Sequence, residues 1–143
     1  MMTKAHILIL EDDQHQRDTY LEIVNFFGYQ GTAVTNGEKG VAAVKTAIAL
    51  GKPFDIYLSD VQMPKLDGPG FYEQVKSLAS TPIVFHSMGM SDGQKVRLEQ
   101  LQPFRLIEKP VNFPILKETL EQALLSYHPI KKLADQATHD FSI

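Results

Sequence analysis

The 143-residue sequence contains no cysteine, so the chain can form no disulfide and carry out no thiol chemistry. It also lacks any apolar run near the roughly 18 residues that a membrane span requires. The residues before Ile7 are too polar and too few to form a secretory signal. The last two absences predict a cytoplasmic protein with no membrane association.

A concentration of positive charge is missing as well. The formal net charge is −3, and Lys131-Lys132 is the one pair of adjacent basic residues. Proteins that bind nucleic acid usually carry a basic face, so this balance predicts no nucleic-acid partner. A hydrophobic fraction of 43% and a charged fraction of 22% are typical of globular proteins, and 143 residues suit one domain.

Five short apolar runs alternate with segments in which apolar residues recur at helical spacing. Strands are predicted at residues 6–10, 30–35, 54–59, 82–86 and 104–108. Because strands joined through helices run parallel, we expect a doubly wound (βα)5 fold, flavodoxin-like, with a five-stranded parallel sheet and helices on both faces. The apolar period fades after Tyr127, so residues 1–128 are predicted to form the domain and 129–143 a flexible tail.

Local signals predict several helix boundaries. Residues 68–70, Gly-Pro-Gly, predict a break before a third helix whose apolar stripe runs to Leu78. A fourth helix is predicted over 91–101, and Asn112 is predicted to cap the fifth helix.

Polar side chains follow four of the five predicted strands. They are Glu11, Asp12 and Asp13 after the first strand, Asp60 after the third, Ser87 after the fourth and Lys109 after the fifth. All strands of a parallel sheet end at the same edge, and ligands bind in the crevice outside those ends. We therefore expect these side chains to lie close together.

Clustered carboxylates repel one another unless a cation joins them. Oxygen ligands without histidine or cysteine suit a hard ion, Mg²⁺ or Mn²⁺. A carboxylate can also attack phosphorus and form an aspartyl phosphate, a reaction that depends mainly on positioning and charge neutralisation. The metal ion, the Lys109 ammonium and the Ser87 hydroxyl are suited to provide both.

Each feature also has an ordinary structural explanation. Acidic residues at 11–13 are typical of a helix N-terminus, and Asp60 alone is typical of a turn. Ser87 alone is typical of a solvated loop, and Lys109 before Pro110 is typical of a surface lysine. These explanations weaken together, because all the features come at one edge of one sheet.

Four segments carry a resemblance to a known family. They are Ile7-Leu8-Ile9-Leu10-Glu11-Asp12-Asp13, residues 55–68 with their Met63-Pro64 and Asp67-Gly68 elements, Pro82-Ile83-Val84-Phe85-His86-Ser87, and Glu108-Lys109-Pro110. In this order and spacing they resemble the receiver domain of two-component response regulators, the chemotaxis-regulator-like superfamily. The resemblance covers roughly residues 5–127.

The resemblance implies a role for each matching residue. Asp60 would be the phosphoacceptor, with Ser87 and Lys109 contacting the phosphoryl group. Asp12, Asp60 and the main-chain carbonyl of Gln62 would bind Mg²⁺, supported by Glu11. Asp13 has no counterpart in the family and is read as the N-cap of the first helix.

The resemblance also implies partners. A histidine kinase or a histidine phosphotransfer protein would donate the phosphoryl group in a phosphorelay. The face formed by the predicted fourth helix (α4), fifth strand (β5) and fifth helix (α5) would contact a downstream protein target. The chain would then be no enzyme, beyond self-phosphorylation and autodephosphorylation.

Two alternatives stay open. A Mg²⁺-dependent phosphohydrolase would use the same aspartyl phosphate, but it needs a second acid two residues after the nucleophile, where this chain has Gln62. An interaction module that is never phosphorylated is kept open by Met88, in place of a small residue, and by Leu106, in place of an aromatic residue. Met88 could also cover the phosphoryl group.

His86 is predicted to be a core or interface histidine that points away from the site.

Overall fold

A computed structural model describes residues 4–126 of the chain. The strands are β1 His6–Leu10, β2 Gln30–Val34, β3 Ile56–Asp60, β4 Ile83–Ser87 and β5 Arg105–Glu108. The helices are α1 Gln14–Phe26, α2 Gly37–Ala49, α3 Gly68–Val75, α4 Asp92–Gln100 and α5 Phe113–Ser126. The tail predicted at 129–143 lies outside the described residues.

All five strands are parallel, and their order across the sheet is β2-β1-β3-β4-β5. From β1 the chain moves outward to β2 and then returns to β3 on the other side of β1. The direction of winding therefore reverses between β1 and β3, which opens a crevice at their carboxyl ends. The predicted doubly wound, flavodoxin-like fold is confirmed.

Two apolar layers cover the sheet. Helices α1 and α5 pack on the face that carries Ile7 and Ile9 of β1. Helices α2, α3 and α4 pack on the opposite face, which carries Leu8 and Leu10. Successive strand residues point to opposite faces, and both faces of β1 are covered, so residues 7–10 of this strand are all apolar. Within residues 4–126, no helix is both long and apolar enough to cross a membrane.

The strand ends differ slightly from the prediction. Asp60 is the last residue of β3 and Ser87 the last residue of β4, whereas the sequence placed both just beyond their strands. The backbone pairing continues to these residues, because Asp60 pairs with His86 and Ser87 pairs with Glu108. The strand geometry therefore fixes the backbone of both residues.

The predicted break at residues 68–70 is wrong, since these residues form the first turn of α3. The Asp67 side chain caps the helix by accepting a hydrogen bond from the Gly70 N–H at 2.7 Å, and a proline is favourable in a first helical turn. At its other end α3 stops at Val75, so Leu78 lies beyond the helix and is 45% exposed. The sequence had included Leu78 in the helical stripe.

Gly68 lies against the backbone of the phosphoacceptor candidate. A Cβ atom at this position would stand 2.1 Å from the Asp60 carbonyl oxygen and 2.9 Å from the Ser59 Oγ. The Gly68 N–H also donates to the Val61 carbonyl at 3.0 Å, which holds the two segments together. A side chain at position 68 would therefore force Asp60 to move.

We predict that Gly68→Ala lowers the free energy of unfolding by about 1–3 kcal/mol, because the added methyl group overpacks against a backbone carbonyl. Gly93→Ala is the matched control, since Gly93 lies in α4 and a Cβ there would meet nothing within 4 Å. The control should be neutral or stabilising, by up to about 1 kcal/mol. Urea denaturation measures both, and equal stability of the two variants would contradict the prediction.

Candidate functional site

Three carboxylates meet at the carboxyl edge of the sheet. Glu11 and Asp12 follow β1, Asp60 ends β3, and the two strands are neighbours. One oxygen from each carboxylate lies within 4.8 Å of the others. Glu11 is fully buried and Asp12 is exposed, so the group extends from the interior to the surface.

Lys109, which follows β5, places its ammonium among these carboxylates. Its Nζ lies 3.0 Å from the Glu11 Oε1 and 3.4 Å from the Asp60 Oδ2. The Lys109 side chain is only 9% exposed, so the ion pairs are largely shielded from water. A buried charge is stable only when it is paired, and here each charge satisfies the other.

The backbone around Asp60 is held by three hydrogen bonds. The Val61 N–H donates to the Asp60 Oδ1 at 2.7 Å, and the Ser59 hydroxyl donates to the Asp60 carbonyl at 2.8 Å. The third is the bond from the Gly68 N–H to the Val61 carbonyl. As a result the Asp60 Oδ1 is engaged with the backbone, and the Oδ2 is the oxygen that faces Lys109.

The turn after β1 is held from α1. Asp13 caps the helix, since its Oδ2 accepts a hydrogen bond from the Gln16 N–H at 2.9 Å, as the sequence predicted. The Arg17 guanidinium donates to the main-chain carbonyls of Glu11 at 3.1 Å and Asp12 at 3.0 Å. These bonds fix the turn from which two of the three carboxylates project.

Burial and repulsion make the charge on Glu11 costly. Burial, followed by the proximity and the negative charge of the Asp60 carboxylate, raises the pKa of Glu11 to about 7, although Lys109 acts in the opposite direction. The Glu11 Oε2 is also buried with no hydrogen-bond partner among the described residues. A cation between the carboxylates would satisfy this oxygen and stabilise the charged form.

The residues therefore fit a divalent metal ion. Glu11, Asp12 and Asp60 supply only oxygen ligands, which Mg²⁺ and Mn²⁺ prefer. The buried Glu11 Oε2, which has no hydrogen-bond partner among the described residues, is an oxygen that such an ion would satisfy.

Two other residues predicted for the site, Ser87 and Gln62, lie at or just after the ends of the neighbouring strands β4 and β3. Ser87 is buried at the end of β4, and its carbonyl accepts the Lys109 N–H at 2.8 Å. Gln62 is exposed, two residues after Asp60. In the part of the chain that the structure describes, no hydrogen bond joins the Ser87 hydroxyl or Gln62 to the carboxylates. Their predicted roles therefore stay predictions.

Met88 and Leu106 occupy different environments. Met88 is 75% exposed, so few other residues cover its side chain, and the prediction that it covers a phosphoryl group stays a prediction. Leu106 is partly buried and packs against the apolar layer beneath α2, α3 and α4. Leu106 therefore lies at the border of the core.

The prediction that His86 points away from the site is wrong. His86 pairs with Asp60 across β3 and β4, and residues paired in this way project from the same face. It is fully buried, and its Nδ1 lies 3.2 Å from the Tyr20 hydroxyl of α1. Burial, with a smaller effect of the Lys109 charge, lowers the pKa of His86 to about 3. His86 is therefore a neutral core residue beneath the site.

Sequence reasoning missed Gln16 and Arg17. The Gln16 Oε1 lies 2.5 Å from the Lys109 Nζ, across 93 positions of sequence. No motif includes either residue, but both follow an N-cap at the functional edge, where the first turn of a helix faces the site. Their position in this first turn is the one sequence feature that could have indicated a role at the site.

Known proteins resemble this chain in sequence. The family model of the response regulator receiver domain matches residues 7–121. The transcriptional regulatory protein ZraR of Salmonella typhimurium is 29% identical over 122 residues, which cover 85% of this chain and 26% of ZraR. FixJ of Bradyrhizobium diazoefficiens, also a transcriptional regulatory protein, is 27% identical over 92% of this chain and 62% of its own length. The chain thus spans about a quarter of ZraR.

Solved structures share the fold. A CheY-like response regulator receiver domain protein from Methanospirillum hungatei has a TM-score of 0.78 at 23% identity, covering 87% of this chain and 96% of that one. The signal receiver domain of a signal transduction histidine kinase from Syntrophus aciditrophicus has a TM-score of 0.75 at 27% identity, covering 85% and 91%.

The pKa of Glu11 gives a prediction for stability without metal. A carboxyl whose pKa is raised on folding, here to about 7, binds more protons in the folded state, so its contribution to stability falls as pH rises from about 4.5 to 7. His86, whose pKa is lowered, acts in the opposite sense. We therefore predict that wild type loses stability relative to Glu11→Gln across this window, by about 3 kcal/mol at most.

Urea denaturation in a chelating buffer at several pH values measures this difference. Added Mg²⁺ should reduce it, because a cation favours the ionised Glu11. A difference between wild type and Glu11→Gln that did not change with pH would show that the Glu11 pKa is not raised.

Proposed function

The chain belongs to the response regulator receiver domain family, and from this membership we propose that Asp60 accepts a phosphoryl group. Proteins of this class are phosphoacceptor switches of two-component signal transduction. The observation that carries the assignment of Asp60 is its carboxylate, held by the backbone at the crevice edge beside Glu11, Asp12 and the Lys109 ammonium.

The proposed reaction is a transfer between two residues. An Asp60 carboxylate oxygen forms a bond to phosphorus while the bond from phosphorus to the donor's imidazole nitrogen breaks, and that nitrogen keeps the electron pair. Lys109, which already lies 3.4 Å from the Asp60 Oδ2, donates a hydrogen bond to the arriving phosphoryl oxygens. Ser87, from the end of the adjacent strand β4, donates a second.

We propose that Glu11, Asp12, Asp60 and the Gln62 main-chain carbonyl hold Mg²⁺, or Mn²⁺ in its place. When bound, the ion neutralises the charge that gathers on the phosphoryl oxygens during transfer. Glu11, buried and partly neutralised by Lys109, supports Asp12, which is exposed and accessible to a hydrated ion.

We propose a signalling role rather than an enzymatic one. Gln62 stands two residues after Asp60, where a phosphohydrolase of this chemistry needs a proton donor, and its amide does not titrate near neutral pH. Catalysis by the chain would then be limited to its own phosphorylation and dephosphorylation.

The proposed donor is a histidine kinase or a histidine phosphotransfer protein in the cytoplasm. For a downstream protein target, the α4–β5–α5 face is the proposed surface. It carries exposed apolar side chains, Val96 of α4 and Phe113 and Ile115 of α5, 54%, 56% and 44% exposed. Lys95 of α4 and Glu108 of β5 form an ion pair at 3.9 Å, so a movement of β5 would change a contact with α4 on this face.

We predict that the protein gains a single phosphoryl group when it is incubated with Mg²⁺ and acetyl phosphate. Asp60→Asn should abolish the gain, because an amide has no anionic oxygen to attack phosphorus. Intact-protein mass spectrometry measures the gain directly. A gain that survived Asp60→Asn would place the phosphoacceptor elsewhere in the chain.

A pair of adjacent aspartates gives a controlled test of metal binding. Asp12→Ala should weaken Mg²⁺ binding at least ~10-fold, since it removes a carboxylate from the proposed ligand set. Asp13→Ala should leave binding nearly unchanged and instead lower stability by about 1 kcal/mol, because Asp13 caps α1. Isothermal titration and urea denaturation separate the two effects. A greater loss of Mg²⁺ affinity in Asp13→Ala would contradict the assignment.

A further inference from the structure

The Lys109 ammonium has three acceptors, and they are not equally close. The distances from its Nζ are 2.5 Å to the Gln16 Oε1, 3.0 Å to the Glu11 Oε1 and 3.4 Å to the Asp60 Oδ2. The shortest contact is with a neutral amide and the longest is with the proposed phosphoacceptor. An ammonium has three donors, so these three acceptors account for all of them.

We propose that Gln16 is a positioning residue that holds Lys109 back from Asp60 and so keeps the Asp60 carboxylate available for phosphoryl uptake. The inference rests on the proposed function, because it assumes that Asp60 is the phosphoacceptor. It adds a residue outside the motifs that carry the family resemblance.

A second helix of the chain shows what Gln16 would otherwise do. In α4, Gln94 stands three residues after its N-cap, and its Oε1 accepts a hydrogen bond from the Ser91 N–H at 3.0 Å. Gln16 stands at the same position after the N-cap Asp13 of α1. Its Oε1 contacts Lys109 instead of the cap. The Gln16 oxygen is thus used for the lysine and not for the helix end.

The contact with Gln16 matters because it leaves the Asp60 Oδ2 free to attack phosphorus. The Asp60 Oδ1 accepts the Val61 N–H at 2.7 Å, so Oδ2 is the oxygen without a backbone bond. A charge-assisted bond from an ammonium to a carboxylate is normally about 2.7–2.9 Å long, shorter than the 3.4 Å seen here. An ammonium that closed this gap would occupy the lone pairs of Oδ2 and weaken it as a nucleophile.

Gln16 is also suited to release Lys109 afterwards. Its amide is neutral, whereas an attached phosphoryl group presents charged oxygens, and a hydrogen bond between two ions is the stronger of the two. The lysine can therefore leave Gln16 for the phosphoryl group once Asp60 is modified. The Gln16 amide thus holds Lys109 while Asp60 is unmodified, and it does not compete with the phosphoryl group for the lysine afterwards.

The test replaces Gln16 by methionine, which has a similar length and helix propensity but no comparable acceptor. We expect Gln16→Met to take up the phosphoryl group from acetyl phosphate roughly fivefold more slowly than wild type. Gln94→Met is the matched control, since it removes an equivalent amide from α4 and should leave the rate unchanged. A wild-type rate in Gln16→Met would overturn the proposal.

The same substitution in a Lys109→Met background shows whether Gln16 acts through the lysine. Without the ammonium, Gln16→Met should have no further effect on the rate. A fivefold slowing that persisted in the double variant would overturn the proposal, because Gln16 would then act on the donor or on the helix.

A measurement on the metal-free protein is independent of phosphorylation. Nitrogen-15 NMR of the Lys109 ammonium should show protons protected from exchange with water in wild type and several-fold faster exchange in Gln16→Met. Unchanged exchange would refute the Gln16 contact. If wild type takes up no phosphoryl group but exchange is faster in Gln16→Met, the proposed function fails while the hold of Gln16 on Lys109 stands.

Discussion

Repulsion between carboxylates at one edge of the sheet is the constraint on which the site depends. Glu11, Asp12 and Asp60 each place an oxygen within 4.8 Å of the others, and Glu11 does so from a fully buried position. Such a group is stable only with positive charge beside it. Of the described residues, Lys109 alone forms ion pairs with Glu11 or Asp60. One ammonium cannot neutralise three carboxylates, so the remaining repulsion is relieved by protonation of Glu11, whose pKa is raised to about 7, or by a further cation.

The winding of the chain is what creates this crowding. Because the strand order reverses between β1 and β3, the loops that follow these neighbouring strands turn to opposite faces and leave a crevice between them. The bond from the Gly68 N–H to the Val61 carbonyl holds the segment after β3, and the bonds from Arg17 to the carbonyls of Glu11 and Asp12 hold the segment after β1. The sheet brings the charges together, and these bonds fix the backbone of each acidic segment.

Much of this could be predicted from sequence, because the signals were local or periodic. The bounds of β1 follow from its unbroken apolar run, and the grouping of Glu11, Asp12 and Asp60 follows from the rule that parallel strands end at one edge. The remainder depends on long-range geometry. The orientation of His86 is set by its register against Asp60, and the target of Gln16 by a lysine 93 positions away. Neither partner is visible in the local sequence.

The layer beneath the site explains why Lys109 carries so much of the charge balance. Tyr20 and His86 lie together on the α1 side of the sheet, with their ring centroids 4.6 Å apart. A protonated His86 would be a second cation next to Asp60, but burial and the charge of Lys109 lower the pKa of His86 to about 3. At neutral pH the histidine therefore fills space and contributes no charge. Under the proposed function, the charge of a phosphoryl group on Asp60 would therefore be balanced from above, by Lys109 and by a bound metal ion, and the position of the lysine would determine how the site responds.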